Sequence, residues 1–289
     1  MNPVSKSSLL RALLLVMLFP AANVFAQSNV LDGVYVKEHI AERKIIPYAH
    51  LREADVMWSK RVWRIIDLKE KLNHDLYYPE TPQNGRKSLM QVIWDGVTKD
   101  GTITAYEDLA GPAAGDFEQS PVLPKAAIDT MFNKVERTEI PNPDNPDEMI
   151  PREVPIPFEP LMVKSYRIKE DWFFDKQRSV MDVRIIGIAP VIEKKLEDGT
   201  TAPQTMFWIY YPEIRFTLVG AEVYNKFNDS ERRSYEDIFW KRKFSSYIYK
   251  ESNVFDRRII EYATGLAALL EAERIKDEMR NFEHDLWEY

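Results

Sequence analysis

The sequence predicts an α+β fold in which an antiparallel β-meander over about 161–223 packs with helices. Two observations carry that expectation. Residues Val163–Phe174, Val180–Ile192 and Thr205–Val223 are rich in Val, Ile, Phe, Tyr and Trp, which suit a pleated, partly buried surface, and turn signals separate them. Apolar residues elsewhere recur at helical spacing, chiefly over Glu53–Asn73 and from about Asp256 to Glu288. Within the third strand segment, alternation sends Trp208 and Tyr210 to one face and Phe207, Ile209 and Tyr211 to the other. A strand apolar on both faces is covered on both.

Taken in order, the chain opens with features of a secretory signal peptide over residues 1–26. Lys6 and Arg11 form a basic start, Ala12–Phe19 an apolar run too short to span a bilayer, and Val24-Phe25-Ala26 a cleavage site. An exported mature chain is expected, without a direct membrane anchor. Cleavage removes two of the 39 basic residues and none of the 46 acidic ones, leaving 37 against 46, a net charge of −9. That balance disfavours nucleic acid as a partner. With no cysteine, the chain has no disulfide, thiolate nucleophile or cysteine metal site.

Residues 27–140 read as a helical N-terminal half. In Glu53–Asn73, Trp58, Val62, Ile65 and Ile66 form an apolar stripe that continues to Leu68 and Leu72, with basic residues opposite, and Pro79 lies beyond its end. Ser88–Val97 predicts a second helix. Thr104–Glu107 matches a capping box, which predicts another helical turn, and Gly111–Gly115 breaks the chain. The seven prolines between Pro141 and Pro160 predict an extended linker or arm at 141–160. Residues 161–289 hold the strand-rich core and C-terminal helices, forming one compact unit with 27–140. Ser234–Asp237 caps a helix that takes in Ile238, Phe239, Tyr247 and Ile248. In the C-terminal helix, Ile259, Ala263, Leu266 and Leu270 form a stripe, which a five-residue jump to Ile275 shifts.

No catalytic constellation emerges. Asp100–Glu107 matches half of an EF-hand loop, but Gly96 and Thr98 would occupy the two ligand positions that supply much of its charge. The four histidines are scattered, and no nucleotide or serine-hydrolase motif occurs. Neither a metal nor a cofactor is expected. Acids such as Asp171 and Glu213 would serve a periplasmic cell-wall hydrolase only if they converged. Arg232, Arg233, Lys241 and Arg242 beside Trp240 are the candidate partner contacts, either for another protein or for peptidoglycan or a membrane surface.

Several segments together resemble the GldN/PorN family of gliding-motility proteins: Val56–Asp67, Ile103–Tyr106, Asp182–Ile188, Trp208–Pro212, Phe244–Ile248 and Glu251–Asn253. The resemblance implies a non-enzymatic periplasmic component of the type IX secretion system of Bacteroidetes. It further implies a ring formed with the outer-membrane lipoprotein GldK/PorK, held at the inner face of the outer membrane, and contact with the motor protein GldM/PorM. It brings no catalytic residue.

Overall fold

The structure is a computed structural model describing residues 34, 43–109, 117–141, 149–195, 199–226, 228 and 230–285, with backbone alone for 133–157 and 195. The signal peptide, the Gly111–Gly115 break and Glu197-Asp198 lie outside the described residues. The chain divides into Met1–Glu38 and His39–Tyr289, and all that follows concerns the second unit.

Its centre is a seven-stranded antiparallel sheet. In chain order the strands are β1 (Val56–Asp67), β2 (Ala105–Tyr106), β5 (Val163–Asp175), β6 (Val180–Lys195), β7 (Thr201–Thr205), β8 (Trp208–Tyr210) and β11 (Tyr247–Glu251). Across the sheet the order is β11-β1-β5-β6-β8-β2, with β7 also on β6. The long β5–β6 hairpin is where the sequence predicts it. Asp175 shapes its turn, accepting hydrogen bonds from the Gln177 amide at 2.9 Å and from Arg178 Nε at 2.7 Å.

The helix expected over Glu53–Asn73 is instead β1, paired with β5 along its length. Trp58, Val62 and Ile66 are spaced by four, and four is even. Such a stripe therefore lies on one face of a strand as readily as on one side of a helix. The β-branched and aromatic content, with Val56, Trp58, Val62, Trp63, Ile65 and Ile66 in twelve residues, favours the strand.

The reverse correction applies at 205–223. The strand stops at Tyr210, and α4 (Tyr211–Gly220) follows, with Pro212 in its first turn, where the missing amide has no helical partner to lose. Tyr211, Ile214 and Leu218 turn inward at helical spacing. Within Thr104–Glu107, Ala105 and Tyr106 form β2 in place of a helical turn, and Tyr247 and Ile248 lie in β11. Within the Pro-rich stretch, β4 (Met149–Pro157) pairs with β3 (Asn133–Pro141) as a separate two-stranded antiparallel ribbon. A short pair, β9 (Glu222–Val223) and β10 (Arg233–Ser234), completes the strands.

The remaining helices are α1 (His74–Tyr77), α2 (Leu89–Trp94), α3 (Lys125–Phe132), α5 (Tyr235–Trp240) and α6 (Leu266–Asp285). Ser88 caps α2 through the Gln91 amide. Ser234 and Asp237 form a reciprocal capping box on α5, as the sequence predicts. Leu89, Ile93, Phe132, Ile214, Leu218 and Phe239 join Ile66, Ile168, Ile188 and Ile209 in the main core. A second core holds α6 through Ala272, Ile275 and Met279 against Val62 and Ile248.

By register, Val62 and Ile66 share a face of β1 with Ile168 of β5. One face of the sheet therefore carries both cores, and α6 and the shorter helices lie side by side on it. The opposite face has a smaller aromatic group of Trp63, Trp208, Tyr106, Phe117 and Tyr249 around Ala189. There Gly187 leaves room for Phe117, whose Cζ would lie 2.5 Å from a Cβ at that position.

Burial pushes the Tyr249 phenol up to about 12, and it also raises Tyr166, Tyr211 and Tyr235 above the usual tyrosine range. Unfolded tyrosines ionise near pH 10, so this stabilisation is complete below pH ~10 and is lost as pH rises through the folded values. Chemical denaturation between pH 9 and 12 should show stability falling above pH ~10. Tyr249→Phe should reduce the slope by about one proton, or ~1.4 kcal/mol per pH unit.

Candidate functional site

The basic residues singled out in the sequence divide into two groups, most of them engaged with acids or rings of the same chain. Arg232 donates to Glu222 at 2.7 Å, and Arg86 reaches the same carboxylate at 3.0 Å. Burial alone would push the Glu222 carboxyl up, but the hydrogen bonds from Arg232 and Arg86 outweigh it and hold it below its usual range. Arg233 pairs with Glu231. At the end of α5, Trp240 is half-exposed, stacked on Tyr48 at 5.7 Å with the Arg215 guanidinium over its ring. Arg242, with φ +51°, turns back to bind the fully buried Glu170 at 2.9 Å and lies over the Trp172 and Phe244 rings. Lys241 is exposed.

The acids weighed for hydrolysis do not converge. Asp171 is held by a two-pronged pair with Arg61 at 2.6 and 2.7 Å, and Glu213 accepts from the Thr104 hydroxyl at 2.8 Å on α4. Among the described residues no three potential ligands gather to hold a metal. The EF-hand-like turn is bound to its own backbone, with the Thr98 hydroxyl on the Trp94 carbonyl at 2.7 Å.

What the fold does present is a run of exposed apolar residues from the loop after β11 to the first turns of α6. Val254, Phe255, Ile260, Tyr262, Leu266, Leu269 and Leu270 are all exposed, with Val254 at 97% and Leu266 at 72%. The sequence places Leu266 and Leu270 in one stripe of the C-terminal helix, displaced from the stripe that begins at Ile275. In the structure these are different sides of α6: Ala272, Ile275 and Met279 face the sheet, whereas Leu266, Leu269 and Leu270 face outward. The five-residue jump was the signal for this change of side. The helix also starts later than expected, since 256–265 form a loop with one 3-10 turn at Ile259–Glu261.

The loop is built rather than slack. The Asn253 side chain accepts from the Phe255 and Arg257 amides at 3.1 Å and donates to the Arg257 carbonyl at 2.9 Å. Lys250, buried on β11, pairs with Asp256 at 2.7 Å, and its ammonium lies 4.7 Å from the centre of the Trp63 ring. These contacts hold Val254 and Phe255 outward. Beneath Phe255, a cavity of about 250 Å³ is lined by Trp63, Trp208, Tyr249, Arg167 and Arg258 among others, and the Trp208 indole donates to Asp108 at 2.8 Å. Large exposed apolar patches with a polar rim mark interaction surfaces, and Glu271, Arg274 and Glu278 supply ion pairs immediately beside this one. Among the described residues no helix is long and apolar enough to cross a membrane.

Arg242→Ala would strand the buried Glu170 carboxylate and is expected to cost about 3–5 kcal/mol. Lys241→Ala should stay within about 0.5 kcal/mol. Denaturant unfolding of the two variants measures the contrast.

Compared with known proteins, residues 51–288 match the family model described as Gliding motility associated protein GldN. No curated protein matches the chain.

Proposed function

The chain belongs to the GldN family, whose members are structural and non-catalytic, and from that premise we propose that it is a periplasmic ring subunit of the type IX secretion and gliding-motility machinery. In this reading it assembles with a GldK/PorK-like outer-membrane lipoprotein and with further copies of itself, and it engages a GldM/PorM-like motor protein. The lipoprotein holds it at the inner face of the outer membrane, so the chain needs no anchor of its own.

The observation that carries the reading is the apolar surface of Val254–Leu270, held open by a hydrogen-bonded loop on a chain whose candidate acids are spent on internal pairs. Burying a leucine side chain contributes about 1.5–3 kcal/mol. Leu266, Leu269 and Leu270 together thus supply a sizeable part of a stable contact, and Arg274 and Glu278 at its margin can add orientation.

Replacing Leu266, Leu269 and Leu270 together by Ser should leave the melting temperature nearly unchanged, because none of the three is in the core. The same variant should no longer co-purify with the lipoprotein after gentle extraction. Recovery of the wild-type chain and the lipoprotein as separate monomers would overturn the reading.

A further inference from the structure

Two features of the backbone fit each other and lie at opposite sides of the sheet. The first is the β3–β4 ribbon. It stands apart from the seven-stranded sheet, and each strand has nine residues, roughly 30 Å at strand rise. Its base is fixed where Phe132 and Phe158 meet at 4.7 Å, against Trp94 and Phe207. Phe207 immediately precedes β8, so the ribbon roots at the β8–β2 side. An isolated two-stranded ribbon is marginal in water and needs a further strand or a packing surface.

The ribbon's two outer edges are not equivalent. Pro141, Pro151, Pro155 and Pro157 all occupy odd-numbered positions, and all are paired in the ladder. Proline has no amide hydrogen to give to the ladder, so these nitrogens point away from the opposite strand. In an antiparallel ladder, residues facing each other share that direction. On β4 the outer edge is therefore closed at Pro151, Pro155 and Pro157. On β3 the outward amides belong to Val135, Arg137 and Glu139, which can all donate. Only the β3 edge can accept a full additional strand.

The second feature is the first half of β1. It pairs with β5 over its whole length, but β11 pairs with it only from Val62 to Ile65. The Arg61 carbonyl already accepts from Ser252 on the β11 side at 2.9 Å. Alternation then directs the amide and carbonyl of Ser59 to that same side, where no described residue pairs with them, and an irregularity at Met57 interrupts the alternation beyond it. The stretch of β6 before Gly187 also lacks a strand partner, but there Arg184 binds the Ala49 carbonyl at 2.6 Å and Pro47–Ala49 lie alongside. The outer edge of β7 is interrupted at Pro203 and that of β11 by the Lys250–Arg258 bridge, so among the described residues the edge left open is that of β1.

We propose that the outer edge of β3 in one copy adds to the open Trp58–Lys60 edge of β1 in the next. This deepens, and rests on, the reading of the chain as a self-associating subunit. A donor ribbon on one side of the sheet and an acceptor edge on the other form a head-to-tail contact, which repeats instead of ending at a dimer. Main-chain hydrogen bonds supply the attraction, as in other strand additions.

The test exploits the lack of native cysteine. In the full chain, Ser59→Cys is combined in turn with Glu136→Cys, Arg137→Cys, Thr138→Cys and Glu139→Cys, and each variant is oxidised. At least one combination should give a ladder of covalent oligomers, whereas each single variant should give no covalent product. Adding Arg137→Pro to a cross-linking combination that leaves position 137 native removes an outward amide while sparing the β3–β4 ladder; it should abolish the covalent ladder with the melting temperature unchanged. If no combination cross-links while light scattering shows assembled wild-type particles, the contact is wrong and the ring reading stands. If Ser59→Cys alone gives dimers, β1 pairs with itself and the proposal falls. If the wild-type chain fails to self-associate both alone and with the lipoprotein, the ring reading fails and takes the contact with it.

Discussion

Glu170 sits in the middle of the central strand at 0% exposure, and its burial constrains much of the remaining structure. A carboxylate taken out of water requires a paired charge and hydrogen bonds. The Trp172 indole and the Arg242 guanidinium both donate to its Oε2 at 3.1 Å, and the second terminal nitrogen of Arg242 lies 2.9 Å from Oε1 as an ion pair. For Arg242 to reach inward, the chain must leave α5 and pass through a left-handed backbone conformation. That same turn sends residues 243–246 back toward the sheet, where β11 joins β1 and the Arg64 side chain binds Ser246. One buried charge thus links the end of a helix, the start of an edge strand and the seam between the two cores.

The parts of the fold legible in the sequence were those where a single period left no alternative. β5 and β6 are long, rich in β-branched and aromatic residues, and bounded by polar turns. Ser234 and Asp237 announced their helix through side-chain chemistry that is local to it. β1 and α4 were misread for a common reason: each has apolar residues on more than one side, so spacing alone fits both strand and helix. Tertiary pairing, β5 against β1 and the packing of Ile214 and Leu218 into the core, settles each case. Proline density did not announce β4, because its three prolines sit at odd-numbered positions and leave a two-stranded ladder intact.

The candidate site was less legible than the fold. Basic residues clustered in sequence suggested a binding patch, yet Arg232 and Arg242 found acids, Glu222 and Glu170, from distant segments. Nothing local to 232–242 foretells those partners. Leu266, Leu269 and Leu270 look like ordinary core residues of an amphipathic helix. Only the interrupted spacing before Ile275 hints that they face outward, and the hint becomes readable once the sheet shows which side of α6 is occupied.

The three strands β1, β5 and β6 run antiparallel over 12, 13 and 16 residues. A tensile load along their axis meets the hydrogen bonds in shear, so many must fail together. The two-residue pair β9–β10 can instead be peeled open one bond at a time. Resistance to pulling is a property of the unfolding rate rather than of equilibrium stability. The molecule is consequently stiff along its strands and yielding at its β9–β10 corner, a mechanical anisotropy that its thermal stability would not reveal.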